Sequence, residues 1–255
     1  MLTSSEVEQY HETGQVTAEC RLGEDVVAAI KEKMEVLFET RPDLDQDYAP
    51  NLIEMDHGWL DYAAYPDVLN AVAKLIGDNI IVTGSSFFCK KGIGGKATPW
   101  HQDAYYWPIR PLEACTVWIS IDPSTSENGC LKIIPGSHKE RELFSHLSAT
   151  SDENVGLEQE LSAEDMPDAE PVDVILEPGM MSFHHPYVLH GAEPNNSGAR
   201  RGGLTFRYMP SSSYYDRGIE ARQGRQGVAF NADRQLHLIR GVDVCGRNDI
   251  YRARD

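Results

Sequence analysis

Apolar positions along this chain change period near residue 78. Before that point Val26, Val27, Ile30, Met34, Leu37 and Phe38 recur at helical spacing, and Val68, Leu69, Val72, Leu75 and Ile76 do so again. Gly77 follows the second set, where a glycine commonly ends a helix. Thr3-Ser4-Ser5-Glu6 has the form of a capping box opening a shorter helix that carries Val7 and Tyr10. Residues 1–77 are therefore expected to be a helical support. From residue 79 the pattern turns to short strand-like runs: Ile80–Thr83, Phe87–Cys89, Thr116–Ile121, Cys130–Ile134, Val172–Leu176 and Gly203–Tyr208. Asn128-Gly129, Pro135-Gly136 and Pro178-Gly179 punctuate them. Many short strands separated by turn signals predict a sandwich or jelly roll. Helices that precede the strands, instead of alternating with them, argue against a doubly wound nucleotide-binding sheet. No internal repeat is evident, so residues 1–255 are expected to form one mainly β domain whose core spans 79–255.

Residues 139–171 interrupt the strand pattern. Between Ser151 and Glu170 there are eight acidic residues and no basic one. Such a segment is either a lid over the barrel mouth or a solvated loop. Across the chain the formal net charge is −17, which argues against nucleic acid or an anionic membrane as partner. The five cysteines show no C-x-x-C spacing, as expected of buried thiols in a reducing compartment. Met1–Glu6 has no basic start and no apolar core of a secretion signal. No stretch approaches the ~18 apolar residues of a membrane span. A cytoplasmic location is the expectation, and oligomeric state is left open.

The chemistry is concentrated in a few positions. His101-Gln102-Asp103 is an H-x-D pair, and His190 follows the apolar run Tyr187-Val188-Leu189 and precedes Gly191. Two imidazoles and one carboxylate form a non-haem Fe(II) ligand set that leaves three octahedral positions open. On a strand, alternation would turn His101 and Asp103 to one side and Gln102 away. His184 and His185 compete for the distal position, with His185, before Pro186, read as structural. A bidentate 2-oxo acid would fill two open positions and leave one for O2. Its far carboxylate would need a cation with arginine's fork geometry. Arg200 and Arg201 both lie at the start of the last strong strand signal, and alternation lets only one face inward.

These motifs sit among others that together resemble the phytanoyl-CoA dioxygenase family, the group that also contains ectoine hydroxylase. The resemblance is carried by Trp100-His101-Gln102-Asp103-Ala104-Tyr105-Tyr106-Trp107-Pro108, by Asn128-Gly129-Cys130-Leu131, and by Ile134-Pro135-Gly136-Ser137-His138-Lys139. Phe183-His184-His185-Pro186, Leu189-His190-Gly191 and the ending Ile250-Tyr251-Arg252-Ala253-Arg254 extend it. It implies a double-stranded β-helix, the cupin-like jelly roll, with Fe(II), 2-oxoglutarate and O2 as cofactor and cosubstrates. His101, Asp103 and His190 match the family's metal ligands. The family's carboxylate-binding arginine stands eleven residues beyond the distal histidine, which selects Arg201 over Arg200. Trp118 matches a tryptophan near the cosubstrate. One departure is Ala192, where the family often has serine; Thr205 or Tyr208 is a candidate replacement for that hydroxyl. Asp103 is present where the family's halogenases carry a small residue, which favours hydroxylation or a related oxidation.

Tyr105 and Trp107 follow the metal pair closely and are candidates for the substrate wall, as are Phe144 and His146. No basic cluster suits the phosphates of coenzyme A, so a small-molecule metabolite is the expected substrate. The expected activity is hydroxylation or another oxidation, with release of succinate and CO2. Two alternatives stand beside it: a non-catalytic metal or small-ligand binding protein on the same fold, and a cupin-type metalloenzyme that does not use 2-oxoglutarate.

Overall fold

The computed structural model of the chain describes residues 1–148, 159–218 and 233–252. Residues 149–158 of the 139–171 stretch over which a lid or loop is expected, and Ala253-Arg254 of the C-terminal motif, lie outside those residues.

Helix α1 (Ser4–Thr13) opens with the expected capping box: Thr3 Oγ1 accepts from Glu6 N–H, and the Glu6 carboxylate accepts from Thr3 N–H at 2.6 Å. Gly14, at φ +84°, closes it with a bond from its N–H to Tyr10 O. That left-handed turn delivers the chain directly into a strand, β1 (Gln15–Arg21). The helical reading of residues 1–77 is therefore corrected here. Val16 and Ala18 are fully buried on alternate positions of β1, while Glu19 and Arg21 are exposed. Helix α2 (Glu24–Thr40) buries Val27, Ile30, Met34 and Phe38 on one stripe. A short β2 (Ala49–Pro50) and helices α3 (Leu52–Met55) and α4 (Leu60–Ala63) lead to α5 (Pro66–Ile76), which starts on proline and ends at Gly77.

The remaining strands are β3 (Ile80–Lys90), β4 (Thr98–His101), β5 (Ile109–Arg110), β6 (Cys115–Ser120), β7 (Leu131–Ile133), β8 (His146–Ser148), β9 (Gln159–Leu161) and β10 (Val172–Val174). They are followed by β11 (Met180–His184), β12 (His190–Ala192), β13 (Arg201–Pro210), β14 (Tyr214–Tyr215) and β15 (His237–Arg240). The two runs expected at 80–83 and 87–89 are one continuous strand. Among the described residues the major sheet is seven-stranded, in the order β1-β11-β6-β13-β3-β15 with β2 also on β3. A four-stranded sheet, β10-β7-β12-β4, faces it. Each of these pairings is antiparallel, and the two sheets form the expected jelly roll.

The major sheet is covered on its outer face by the helices. Leu204, Phe206 and Tyr208 of β13 pack there with Ile30, Met34 and Val72 in the principal core. Its inner face looks toward the small sheet, where Trp118, Ile133, Val174, Leu176 and Val188 pack together. Burial on both faces explains why β3, β6 and β13 read as nearly continuous buried runs. Leu161 anchors β9 against Ile134 and Leu189. Among the described residues no helix is long and apolar enough to cross a membrane.

Candidate metal centre

His101 is the last residue of β4, and His190, the first of β12, is its direct cross-strand partner. Asp103 is not on the strand with His101. It opens a turn of 3₁₀ helix, Asp103–Tyr105, so the expectation of simple strand alternation is corrected. The turn still brings the carboxylate back: ligand atoms of His101, Asp103 and His190 all lie within 4.8 Å of one another, and all three residues are buried. His101 Nε2 is 3.9 Å from Asp103 Oδ1.

Each imidazole is oriented by the main chain. His101 Nδ1 lies 2.8 Å from Pro99 O, and His190 Nδ1 lies 3.0 Å from Val188 O. A carbonyl can only accept, so each Nδ1 carries the proton and each Nε2 keeps its lone pair for the centre. Asp103 Oδ2 accepts from Thr116 Oγ1 at 2.8 Å and lies 3.3 Å from His184 Nε2. Burial lowers the pKa of His101 and holds His190 well below its ordinary value. Burial alone would raise Asp103, but the His184 bond and the neighbouring imidazoles hold it far below the usual carboxylate range. At neutral pH the trio is thus two neutral imidazoles and a carboxylate, the protonation state that binds a divalent metal.

Gln102 turns away from this centre. Its amide donates to Glu142 O and Tyr187 O and accepts from Phe144 N–H, and its own N–H donates to His146 Nε2. The residue between the two ligands therefore pins the 142–146 segment to β4.

Arg201 opens β13 on its inner face. It is 3% exposed, its Nη1 donates to Phe88 O at 3.3 Å, and its Nε has no hydrogen-bond partner among the described residues. Its guanidinium lies 5.5 Å from the Trp118 ring. Burial lowers its pKa to about 10, which leaves it charged at neutral pH. Arg200 points the other way and pairs with Asp122 and Glu35. The Trp118 ring occupies the space a side chain at Gly203 would need, since a Cβ there would collide with it.

The triad, Arg201 and Trp118 line one cavity together with Phe88, Thr205 and Arg207. Ala192 also lines it and brings no hydroxyl. Thr205 lines the wall, but its hydroxyl donates to Ser86 O at 3.1 Å, and Tyr208 OH donates to Ala63 O on the far face of the sheet, so neither replaces the serine hydroxyl.

Two residues expected at the substrate wall are elsewhere. Trp107 is 5% exposed and packs with Ile109, Met209 and Leu236 in a second core. Tyr105 stacks on His146, with ring centroids 4.1 Å apart, and is not part of the cavity wall. The 3₁₀ turn breaks the alternation that would have turned these aromatics inward. Phe144 packs beside Ile134 and Leu189. His185 lies outside the cavity, near Tyr10 and His138. Sequence reasoning missed two inner-face residues, Thr116 and Arg207, and weighed His184 only as a competing ligand, whereas Thr116 and His184 hold the Asp103 carboxylate. Arg207 shares the alternation phase of Arg201, and that spacing was the available signal.

With this geometry in view, similarity to known proteins is informative. A family model described as phytanoyl-CoA dioxygenase (PhyH) matches residues 10–203. A probable phytanoyl-CoA dioxygenase of Caenorhabditis elegans is 31% identical over 156 residues, 58% of this chain and 49% of that protein. The chain thus spans about half the length of the curated relatives it matches. Among solved structures, the non-heme monooxygenase ThoJ superposes with a TM-score of 0.74 at 22% identity, covering 96% of this chain and 87% of that one. SnoK, a non-heme alpha-ketoglutarate-dependent carbocyclase from nogalamycin biosynthesis, gives 0.71 at 23% identity, covering 87% and 90%. At such identities the structural likeness concerns the fold.

Proposed function

The chain belongs to the phytanoyl-CoA dioxygenase family, and from that premise we propose that it is a non-haem Fe(II)- and 2-oxoglutarate-dependent dioxygenase that oxidises a small molecule. One observation carries the reading. A buried two-histidine, one-carboxylate trio shares a cavity with a buried arginine whose guanidinium has no acidic partner among the described residues.

His101, Asp103 and His190 would hold the iron on one face, which leaves the opposite face for ligands. When bound, iron supplies the redox chemistry that couples 2-oxoglutarate decarboxylation to substrate oxidation. The protein's part is positional. Thr116 and His184 fix the Asp103 carboxylate, and the Pro99 and Val188 carbonyls fix the imidazole rings. Arg201 receives the far carboxylate of 2-oxoglutarate through a charge-assisted fork in a dry site. Trp118 walls that end of the cavity. Hydroxylation is the favoured outcome because Asp103 retains the carboxylate position. SnoK's description as alpha-ketoglutarate dependent supports the same cosubstrate.

The test is anaerobic addition of Fe(II) and 2-oxoglutarate, followed by O2. The expected result is a visible charge-transfer band, then succinate and CO2 in equal amounts. Metal binding without succinate release would point to a binding protein on the same fold. Turnover of a substrate with no need for 2-oxoglutarate would point to a cupin-type enzyme.

A further inference from the structure

Strand β13 sends alternate side chains into the cavity, and two of them are arginines. Arg201 stands at one end, and Arg207 follows six residues on, roughly 20 Å along an extended strand. Gly203 and Thr205 lie between them.

Arg207 is 6% exposed and lines the cavity. It sits opposite Gly84 on β3 and Thr116 on β6, so it flanks the residue that holds Asp103. Its Nη1 donates to Ser86 Oγ at 2.9 Å, a neutral partner, and among the described residues it forms no ion pair. Asp103 and Glu54 are the acidic groups that face it, with Tyr48 and Arg234 beside them. Asp103 is already engaged by Thr116 and His184 and belongs to the metal trio. Arg234 adds a like charge: its Nη1 lies over Gly84, in the space a Cβ there would need. A buried guanidinium that forms no ion pair with the carboxylates facing it is costly unless an anion joins it.

This deepens the Fe(II)/2-oxoglutarate reading and rests on it. The cosubstrate's free carboxylate is assigned to Arg201, and Arg207 occupies the opposite stretch of the same wall. We propose that Arg207 is a specificity-determining residue that receives a single carboxylate carried by the substrate. One guanidinium beside one neutral hydroxyl matches a monoanion, and the planar fork pairs both oxygens of a carboxylate. The cavity thus sorts two acids by position.

Binding decides the matter without turnover. Protein loaded with Fe(II) and 2-oxoglutarate is titrated without oxygen with acetate, butyrate, benzoate and phenylacetate, and with the matching primary amides. Calorimetry and the visible band of the loaded centre are followed. At least one acid is expected to saturate and shift the band, with its amide at least about tenfold weaker. Arg207→Gln is expected to weaken that acid about 30-fold or more. The 2-oxoglutarate Kd should change by no more than about twofold, as for a distant site. Arg207→Lys, which keeps the charge and loses the fork, should fall between; it carries the test if Arg207→Gln does not fold. Acids and amides binding alike, no acid binding, or loss of 2-oxoglutarate affinity in place of acid affinity would overturn the proposal. If 2-oxoglutarate itself does not bind, the functional reading fails separately, and the acid-against-amide comparison on Fe(II)-loaded protein still decides the role of Arg207.

Discussion

The two sheets that face each other across the cavity are built on different plans. In the major sheet, β3 and β13 pair along their length, and the outer face lies under the helices. In the small sheet, β7, β10 and β12 span three residues each, Val172 is 49% exposed, and the register slips between His190 and Ala192. Function divides along the same line. Both metal-facing histidines come from the small sheet, and the carboxylate comes from the turn that leaves it. The arginines, Trp118 and Thr205 come from the large one. Coordination asks only that a few atoms converge, and local bonds from Nδ1 to carbonyls achieve that on short strands. A charged guanidinium poised for an anion needs a dry, rigid wall, which a sheet buried on both faces supplies.

If that division is right, damage to the small sheet's contribution should abolish metal binding. His101→Ala, Asp103→Ala and His190→Ala are expected to weaken Fe(II) or Mn(II) by more than the ~100-fold seen for loss of a supporting residue. Anaerobic calorimetry measures this, with His185→Gln as a control that keeps its metal. Damage to the large sheet should spare the metal. Arg201→Ala is expected to raise the 2-oxoglutarate Kd about 30-fold or more, and Arg201→Lys by less. Iron loss in the Arg201 variants would break the comparison. Gly203→Ala displaces the Trp118 ring and should cost about 1–3 kcal/mol by thermal or denaturant unfolding, with weaker 2-oxoglutarate binding alongside.

A pH experiment probes the histidine outside the cavity. Burial pushes His185 down to about 3, while an unfolded imidazole titrates near ~6.5. As pH falls below ~6.5 the unfolded chain takes up a proton that the folded chain refuses, so stability declines toward pH ~3. His185→Gln should make the fall in Tm between pH 7 and 4 shallower; an unchanged slope would remove this residue from the acid response. Arg200→Ala should have the smallest effect. Its half-buried pairing with Asp122 and Glu35 suggests a loss of about 1 kcal/mol or less and an unchanged 2-oxoglutarate Kd.

Much of this arrangement is legible in the chain itself. The helices at 24–40 and 66–76 follow from their apolar stripes, and the choice between Arg200 and Arg201 agrees with period-two geometry. Other features are hidden for identifiable reasons. In β1 only Val16, Ala18 and Cys20 alternate against polar neighbours, too short a run to stand out between two helices. The 3₁₀ turn at Asp103 has no proline or glycine to announce it, so strand alternation puts Tyr105 and Trp107 in the wrong phase. His184 and His185 are adjacent, and adjacent residues on a strand face opposite sides. That rule, applied to Arg200 and Arg201, also implies that only one of the two histidines faces the metal.

The unforeseen strand β1 has a practical meaning. It closes one border of the major sheet by pairing Gln15, Val16 and Thr17 with His184, Phe183 and Ser182 of β11. A chain started at residue 22 would leave those main-chain donors and acceptors open along a buried apolar strand, a ready template for another molecule's backbone. Trimming or tagging at the front end is therefore a question of colloidal behaviour as much as of folding. Shortened versions should be judged first by light scattering, and an affinity handle belongs ahead of Met1, with α1 and β1 kept whole behind it.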